Sequence, residues 1–188
     1  MRKGLSLIAL VALLAFASTS LTQNKPQDPP SPAAGSAQEA LRLWNSIGRR
    51  LVAMAEDFPE DKYNFKPKPE VRSFAEQLLH AAGTNYVLLS AVKGSKLGPG
   101  TEDPPRATYK TKADVVALMK KSVEDGAAMI KELGDAGMAK AVKYPYGNRM
   151  VSTEFCVYDA AEHSGEHYGQ LVVYYRLNGI VPPASRKQ

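Results

Sequence analysis

The sequence predicts an all-α fold, a four-helix bundle with long crossover connections, and three observations predict it. Four segments repeat apolar residues at three- and four-residue steps. Serine, threonine and glycine stand at positions suited to cap those segments. The connections between them are long and carry the prolines that forbid a continuous helix. Bundles of this kind build their sites from side chains that point into the core.

The chain is 188 residues long, which is ample for one ordinary domain. Arg2 and Lys3, an almost unbroken apolar run from Leu5 to Ala17, and small residues up to Ser20 read as a secretory signal over residues 1–20. Read instead as a membrane anchor, the run is too short to span a bilayer comfortably. Cleavage near Ser20 is expected to leave no stable membrane anchor, so the protein is expected to be exported, either periplasmic or secreted. Residues 21–35 are rich in Pro, Ser and Gln and read as a flexible linker. The bundle domain is expected over residues 36–185.

The first helix is expected from about Ala37 to Asp57, with Ser36 and Glu39 spaced for a capping box. Ala40, Trp44, Ile47, Leu51, Met54 and Phe58 form its apolar stripe, and Pro59 ends it. The second starts at Ser73, with Glu76 three residues on as another capping box, and stops at Gly94. Phe74, Leu78, Ala81, Asn85, Leu88 and Val92 share one of its faces, and His80 lies beside that face. After a Pro/Gly-rich crossing from Gly98 to Tyr109, Thr111 caps a third helix to about Leu133. Gly126 weakens that helix by about 1 kcal/mol relative to Ala. Val142–Tyr144 and Arg149–Val151 flank Pro145-Tyr146-Gly147-Asn148, the pattern of a short hairpin. The fourth helix begins near Ser152 or Thr153 and ends near Asn178-Gly179, with Pro182 and Pro183 beyond.

The formal net charge is +5, and +3 once Arg2 and Lys3 leave with the signal. The basic residues are scattered, without a block of interleaved aromatics, so no nucleic-acid partner is expected. Cys156 is the single cysteine, which excludes an internal disulfide. Stability must come from packing or in part from a metal.

There are three histidines, His80, His163 and His167. The last two are one helical turn apart and share a face, which is ligand spacing for one metal ion. On the fourth helix Cys156, Asp159, His163, His167, Gln170 and Tyr174 recur at helical steps. This is a polar stripe whose burial is costly unless each group finds a partner. A metal ion is one such partner, and hydrogen bonds in the core are another. His80 is a candidate third ligand from a neighbouring helix, although periodicity alone leaves the pairing of helices open. Three protein ligands leave positions open for water or substrate, the pattern of catalytic sites. Asp159 is placed either to accept the second N–H of His163 or to pair with a cation on the helix side. Cys156 reads as a small buried apolar residue, and Gly165 and Gly169 as sites where another helix packs closely or, alternatively, a substrate approaches.

His163-Ser164-Gly165-Glu166-His167 also fits H-x-x-E-H, a metalloprotease pattern in which Glu166 would be the general base that activates a water. Such proteases need a further downstream carboxylate, and neither Asp nor Glu follows Glu166. Glu166 stays a candidate catalytic base for other chemistry, beside its plainer reading as a solvated helix carboxylate.

Glu162-His163-Ser164-Gly165-Glu166-His167-Tyr168-Gly169-Gln170-Leu171, then Tyr175-Arg176-Leu177-Asn178-Gly179-Ile180-Val181-Pro182-Pro183, resembles the DinB-like family. The upstream segments Tyr63-Asn64-Phe65-Lys66-Pro67 and Val71-Arg72-Ser73-Phe74, followed by His80 and Asn85, are similar to it as well. The resemblance covers most of the chain after the signal. It implies a four-helix bundle and a divalent metal ion, with Zn, Ni, Fe and Mn the candidates, bound by His80, His163 and His167. It thereby joins His80 to the pair. One departure is Glu166, where many members have a histidine before the last ligand. Thiol-dependent transferases and isomerases are among the family's activities. The resemblance therefore implies a metalloenzyme that activates a water or thiol nucleophile against a small-molecule substrate. The alternative is a non-catalytic exported binding or stress-associated bundle with a structural metal. A second copy of the chain, in a homodimer, is a further candidate partner.

Overall fold

The stripe expected on the first helix is the stripe that is buried. Ala40, Trp44, Ile47, Leu51, Met54 and Phe58 all lie in the core of a computed structural model that describes residues 35–187. The expected signal segment 1–20 and residues 21–34 of the expected linker lie outside the described residues. Four helices carry the fold: α1 (Ser36–Asp57), α2 (Phe74–Lys93), α3 (Lys112–Met138) and α4 (Thr153–Leu177). A two-stranded hairpin, β1 (Ala141–Lys143) and β2 (Met150–Ser152), joins α3 to α4. Among the described residues no helix is long and apolar enough to cross a membrane.

Local chemistry sets most helix ends. Ser73 and Glu76 form a reciprocal capping box on α2, Thr111 and Asp114 another on α3, and the Ser152 hydroxyl accepts the Phe155 N–H on α4. The start of α1 differs from expectation. Gly35 is its N-cap and makes no side-chain cap, because the Ser36 hydroxyl donates instead to Glu154 Oε1 at 2.6 Å. The free Ala37 N–H is taken by Asp135 Oδ1 at 2.8 Å, from the far end of α3. That carboxylate is available because α3 does not stop at Leu133. Gly134 bends the chain with φ 54° and ψ −173°, and helical turns resume to Met138. A positive φ of this kind suits glycine, which has no Cβ to clash. The hairpin pairs antiparallel, with Val142 opposite Val151, one residue earlier on the first strand and one later on the second than expected.

Around the bundle the order is α1, α3, α2, α4. α1 packs broadly on α3 and less on α4, α2 packs on both α3 and α4, and α3 shares few contacts with α4. The consecutive pairs α1/α2 and α3/α4 therefore lie across the diagonals, which is why their connections are long crossovers. One end of the core is aromatic. Phe58 stacks on Phe74 with ring centroids 3.9 Å apart, and Tyr63, Tyr174 and Tyr175 surround them. The other end is built by Trp44, Leu88, Met129, Ile130, Met138 and Cys156. Between the two runs a buried polar seam of Gln77, His80, Thr84, Asn85, Ser122, Ser164 and His167.

Candidate metal centre

The seam contains a histidine cluster built by two helices. α2 supplies His80 and α4 supplies His163 and His167, and one ring nitrogen of each lies within 4.8 Å of the others. His80 and His167 are buried and His163 is half-buried. The His80 ring centroid is 5.1 Å from that of His163 and 5.0 Å from that of His167.

Hydrogen bonds decide which nitrogens are left to bind. His167 Nδ1–H donates to Gln77 Oε1 at 2.6 Å, and Gln77 Nε2 in turn donates to the Tyr174 hydroxyl at 3.3 Å. His80 Nδ1–H donates to Asp103 Oδ1 at 2.9 Å. Each of these rings therefore keeps Nε2 as its unprotonated nitrogen, the tautomer that a metal ligand needs. His163 Nε2 stands 3.2 Å from His167 Nε2. Two ligands on one tetrahedral ion, at metal–nitrogen distances of about 2.0–2.1 Å, are separated by about 3.3 Å, so the pair is spaced as two ligands are. His163 Nδ1 is buried with no hydrogen-bond partner among the described residues.

Electrostatics favours neutral imidazoles here. Burial, then the neighbouring His163 and His80, push His167 down to about 3. Burial and then His80 also lower His163, against the opposing charges of Glu166, Asp159 and Glu102. Burial works to raise Asp103, but His80 and Arg72 beside it outweigh this and hold its carboxyl below the ordinary range. Three converging imidazoles, two of them with a ring nitrogen held by a protein partner, fit a divalent cation with nitrogen-preferring chemistry.

The structure leaves the remaining expected site residues outside this cluster. Glu166 is exposed on α4, next in the chain to His167. Asp159 does not accept from His163, because its Oδ2 accepts the Tyr144 hydroxyl of the hairpin at 2.8 Å. Gln170 is exposed, so the polar stripe of α4 is narrower than its periodicity implies. Gly165 and Gly169 pack against no helix, since a Cβ at either would have no atom within 4 Å among the described residues. Cys156 is buried, as expected. Sequence reasoning missed Gln77 and Asp103. Gln77 stands one turn before His80 and could have been found as a polar residue on a buried helix. Asp103 sits in a loop, where no periodicity marks it.

A sequence profile of the DinB superfamily matches residues 43–171, a span that takes in all three histidines. The chain belongs to the DinB superfamily. Solved structures share its fold. A DinB-like protein from Bacillus cereus aligns with a TM-score of 0.64 at 18% identity, over 78% of this chain and 95% of that one. The DinB-like protein YjoA of Bacillus subtilis aligns with a TM-score of 0.60 at 19% identity, over 80% and 99%. YfiT of Bacillus subtilis, described as a probable metal-dependent hydrolase with an unusual four-helix bundle topology, aligns with a TM-score of 0.57 at 11% identity, over 82% and 94%. No curated protein matches the sequence. At these identities the likeness establishes the four-helix bundle of the DinB superfamily for this chain.

Proposed function

We propose that this DinB-superfamily chain is an exported metalloenzyme whose divalent ion is held by His80, His163 and His167. One observation carries the reading. One ring nitrogen of each histidine converges within 4.8 Å of the others, and two of the rings already have their other nitrogen bound elsewhere. A divalent ion at this position supplies Lewis acidity, which makes a water or a thiol acidic enough to attack at neutral pH.

The chain's own residues then divide the remaining work. Gln77 and Asp103 hold two of the imidazoles in their ligating tautomers. Glu166 is the candidate base, and its negative charge already acts on His163. The set of three protein ligands leaves room for a nucleophile and a small substrate. The description of YfiT as a probable metal-dependent hydrolase favours water over a thiol as that nucleophile.

The test is elemental analysis of protein purified without a histidine tag. One equivalent of Zn, Ni, Fe or Mn is expected in the wild type and is lost in His163→Ala. A wild type that carries no metal and takes up none of these ions refutes the reading. A hydrolase and thiol-transferase substrate screen, with Glu166→Gln in parallel, then separates the two nucleophiles. Glu166→Gln is expected to keep the metal and lose turnover.

A further inference from the structure

We propose that Asp103 is a positioning residue for His80, delivered by the α2–α3 crossover, and that Gly83 is the notch in α2 that lets this crossover sit close enough to deliver it. The inference rests on the reading of the three histidines as a metal site.

The three imidazoles are supported unequally. The partner of His167 is Gln77, which belongs to α2 itself and is fixed by the helix. His163 Nδ1 has no partner among the described residues. Only His80 depends on a residue outside the helices, Asp103, which stands 23 positions further along the chain. The side chain of Asp103 is 62% exposed, so burial does not hold it in place.

What holds it is the seating of the crossover. A Cβ at residue 83 would lie 2.3 Å from the Glu102 carbonyl oxygen and 2.4 Å from that of Thr101. These are backbone atoms, which cannot swing aside as a side chain can. The main chain immediately before Asp103 therefore rests on α2 at Gly83, three residues after His80, and only glycine permits that approach. Arg72, just ahead of α2, donates to the same Asp103 Oδ1 at 3.0 Å. The Tyr146 hydroxyl donates to Glu102 Oε1 at 3.2 Å, and Arg106 Nε donates to Asn64 Oδ1 at 3.2 Å. The crossover is thus fastened on both sides of Asp103.

Two consequences follow. The affinity of the site depends on how the crossover is seated, although the crossover supplies no ligand. By linkage, a bound ion must steady the crossover in return.

The experiment measures Zn(II) affinity by chelator competition in the wild type, Asp103→Ala, Asp103→Asn, Gly83→Ala and the double variant Gly83→Ala/Asp103→Ala. Removing a carboxylate partner of a ligand histidine weakens metal binding about 10–100-fold, and the exposure of Asp103 places this case near the lower figure. Asp103→Asn keeps an Oδ1 acceptor and should recover most of the loss. Gly83→Ala should weaken binding with every ligand and Asp103 intact. The double variant should bind no more weakly than the weaker single variant, because both changes break one device. Hydrogen exchange across residues 99–105 should slow on adding Zn(II) to the wild type and not to Asp103→Ala. Unchanged affinity in Asp103→Ala, or additive losses in the double variant, overturns the proposal.

Imidazole ¹⁵N shifts of the metal-free proteins keep this test separate from the metal reading. If the wild type binds no Zn(II), the metal reading fails, and the positioning role is still decided. It stands if His80 is the Nδ1–H tautomer in the wild type and becomes mixed in both Asp103→Ala and Gly83→Ala. It falls if the tautomer is the same in all three.

Discussion

Gly126 weakens α3 by about 1 kcal/mol relative to Ala, and Trp44 is the reason it is there. A Cβ at residue 126 would stand 2.0 Å from the indole Cζ2. Trp44 is buried, and its Nε1–H donates to the Val123 carbonyl at 2.8 Å, so it cannot move away without breaking that bond. Gly126→Ala is therefore expected to destabilise the protein by about 1–3 kcal/mol despite its better helix propensity. Gly169→Ala, on an open face of α4, is expected to stabilise it by about 0.5–1 kcal/mol. Denaturant unfolding followed by the emission of Trp44, the single tryptophan, measures both. The two glycines look alike in sequence, because each is an isolated glycine in a helical pattern. What separates them is a neighbour on another helix, which periodicity does not record. His163 and His167 were legible for the opposite reason, since their i, i+4 spacing is itself the geometric signal. The partners of His80 and Asp159 were not legible, because Asp103 and Tyr144 belong to a loop and a hairpin strand end.

The ends of α1 carry the prediction at the scale of the element. Asp57, its last residue, accepts from Arg186 Nη1 at 2.8 Å and from the Tyr175 hydroxyl at 3.2 Å. The hydrogen bond from Arg186 is the largest influence on Asp57 and, against some burial, holds its carboxyl below the ordinary value of 3.8. A depressed carboxylate contributes stability that is fully present above its unfolded value and is lost as pH falls through its folded value. Arg186→Ala should therefore melt slightly below the wild type at pH 7, as the loss of a solvent-exposed ion pair implies. That gap should narrow as pH falls below 3.8, though Arg186 also donates to the Val181 carbonyl, and calorimetric melts across pH 2–7 read it. Elements whose signals are local were legible. The capping box of α2 needs residues only three apart, and the Thr111 cap of α3 stands directly before its helix. The start of α1 was not, because Asp135 reaches it from 98 residues away across a bend at Gly134.

For the whole molecule, metal binding and stability are one equilibrium. Zn(II) at about a hundred times its Kd should stabilise the fold by about 2.7 kcal/mol. For a domain of this size that is roughly 5–10 °C in Tm. Differential scanning fluorimetry should show the rise in the wild type and none in His167→Ala. The number of the helices was readable from apolar periodicity, and so was the length of each except α3, which continues past Gly134 to Met138. Their pairing was not, because the stripes of α1 and α2 fit equally well against any apolar neighbour. The resemblance in the histidine segments supplied the one pairing, α2 with α4, on which the site depends.

The diagonal placement of α1 against α2 and of α3 against α4 also sets how the molecule folds. In an up-and-down bundle each helix meets its partner across a short turn, and local hairpins form early. Here only α2 and α3 are both consecutive and adjacent. Every other interface must close a long stretch of chain before it gains any burial, and that entropic cost slows the search. No fragment short of the chain from α2 through α4 brings His80 to His163. A nascent or truncated protein would present its histidines apart, and the three-histidine cluster would come into being only with the final docking of α4.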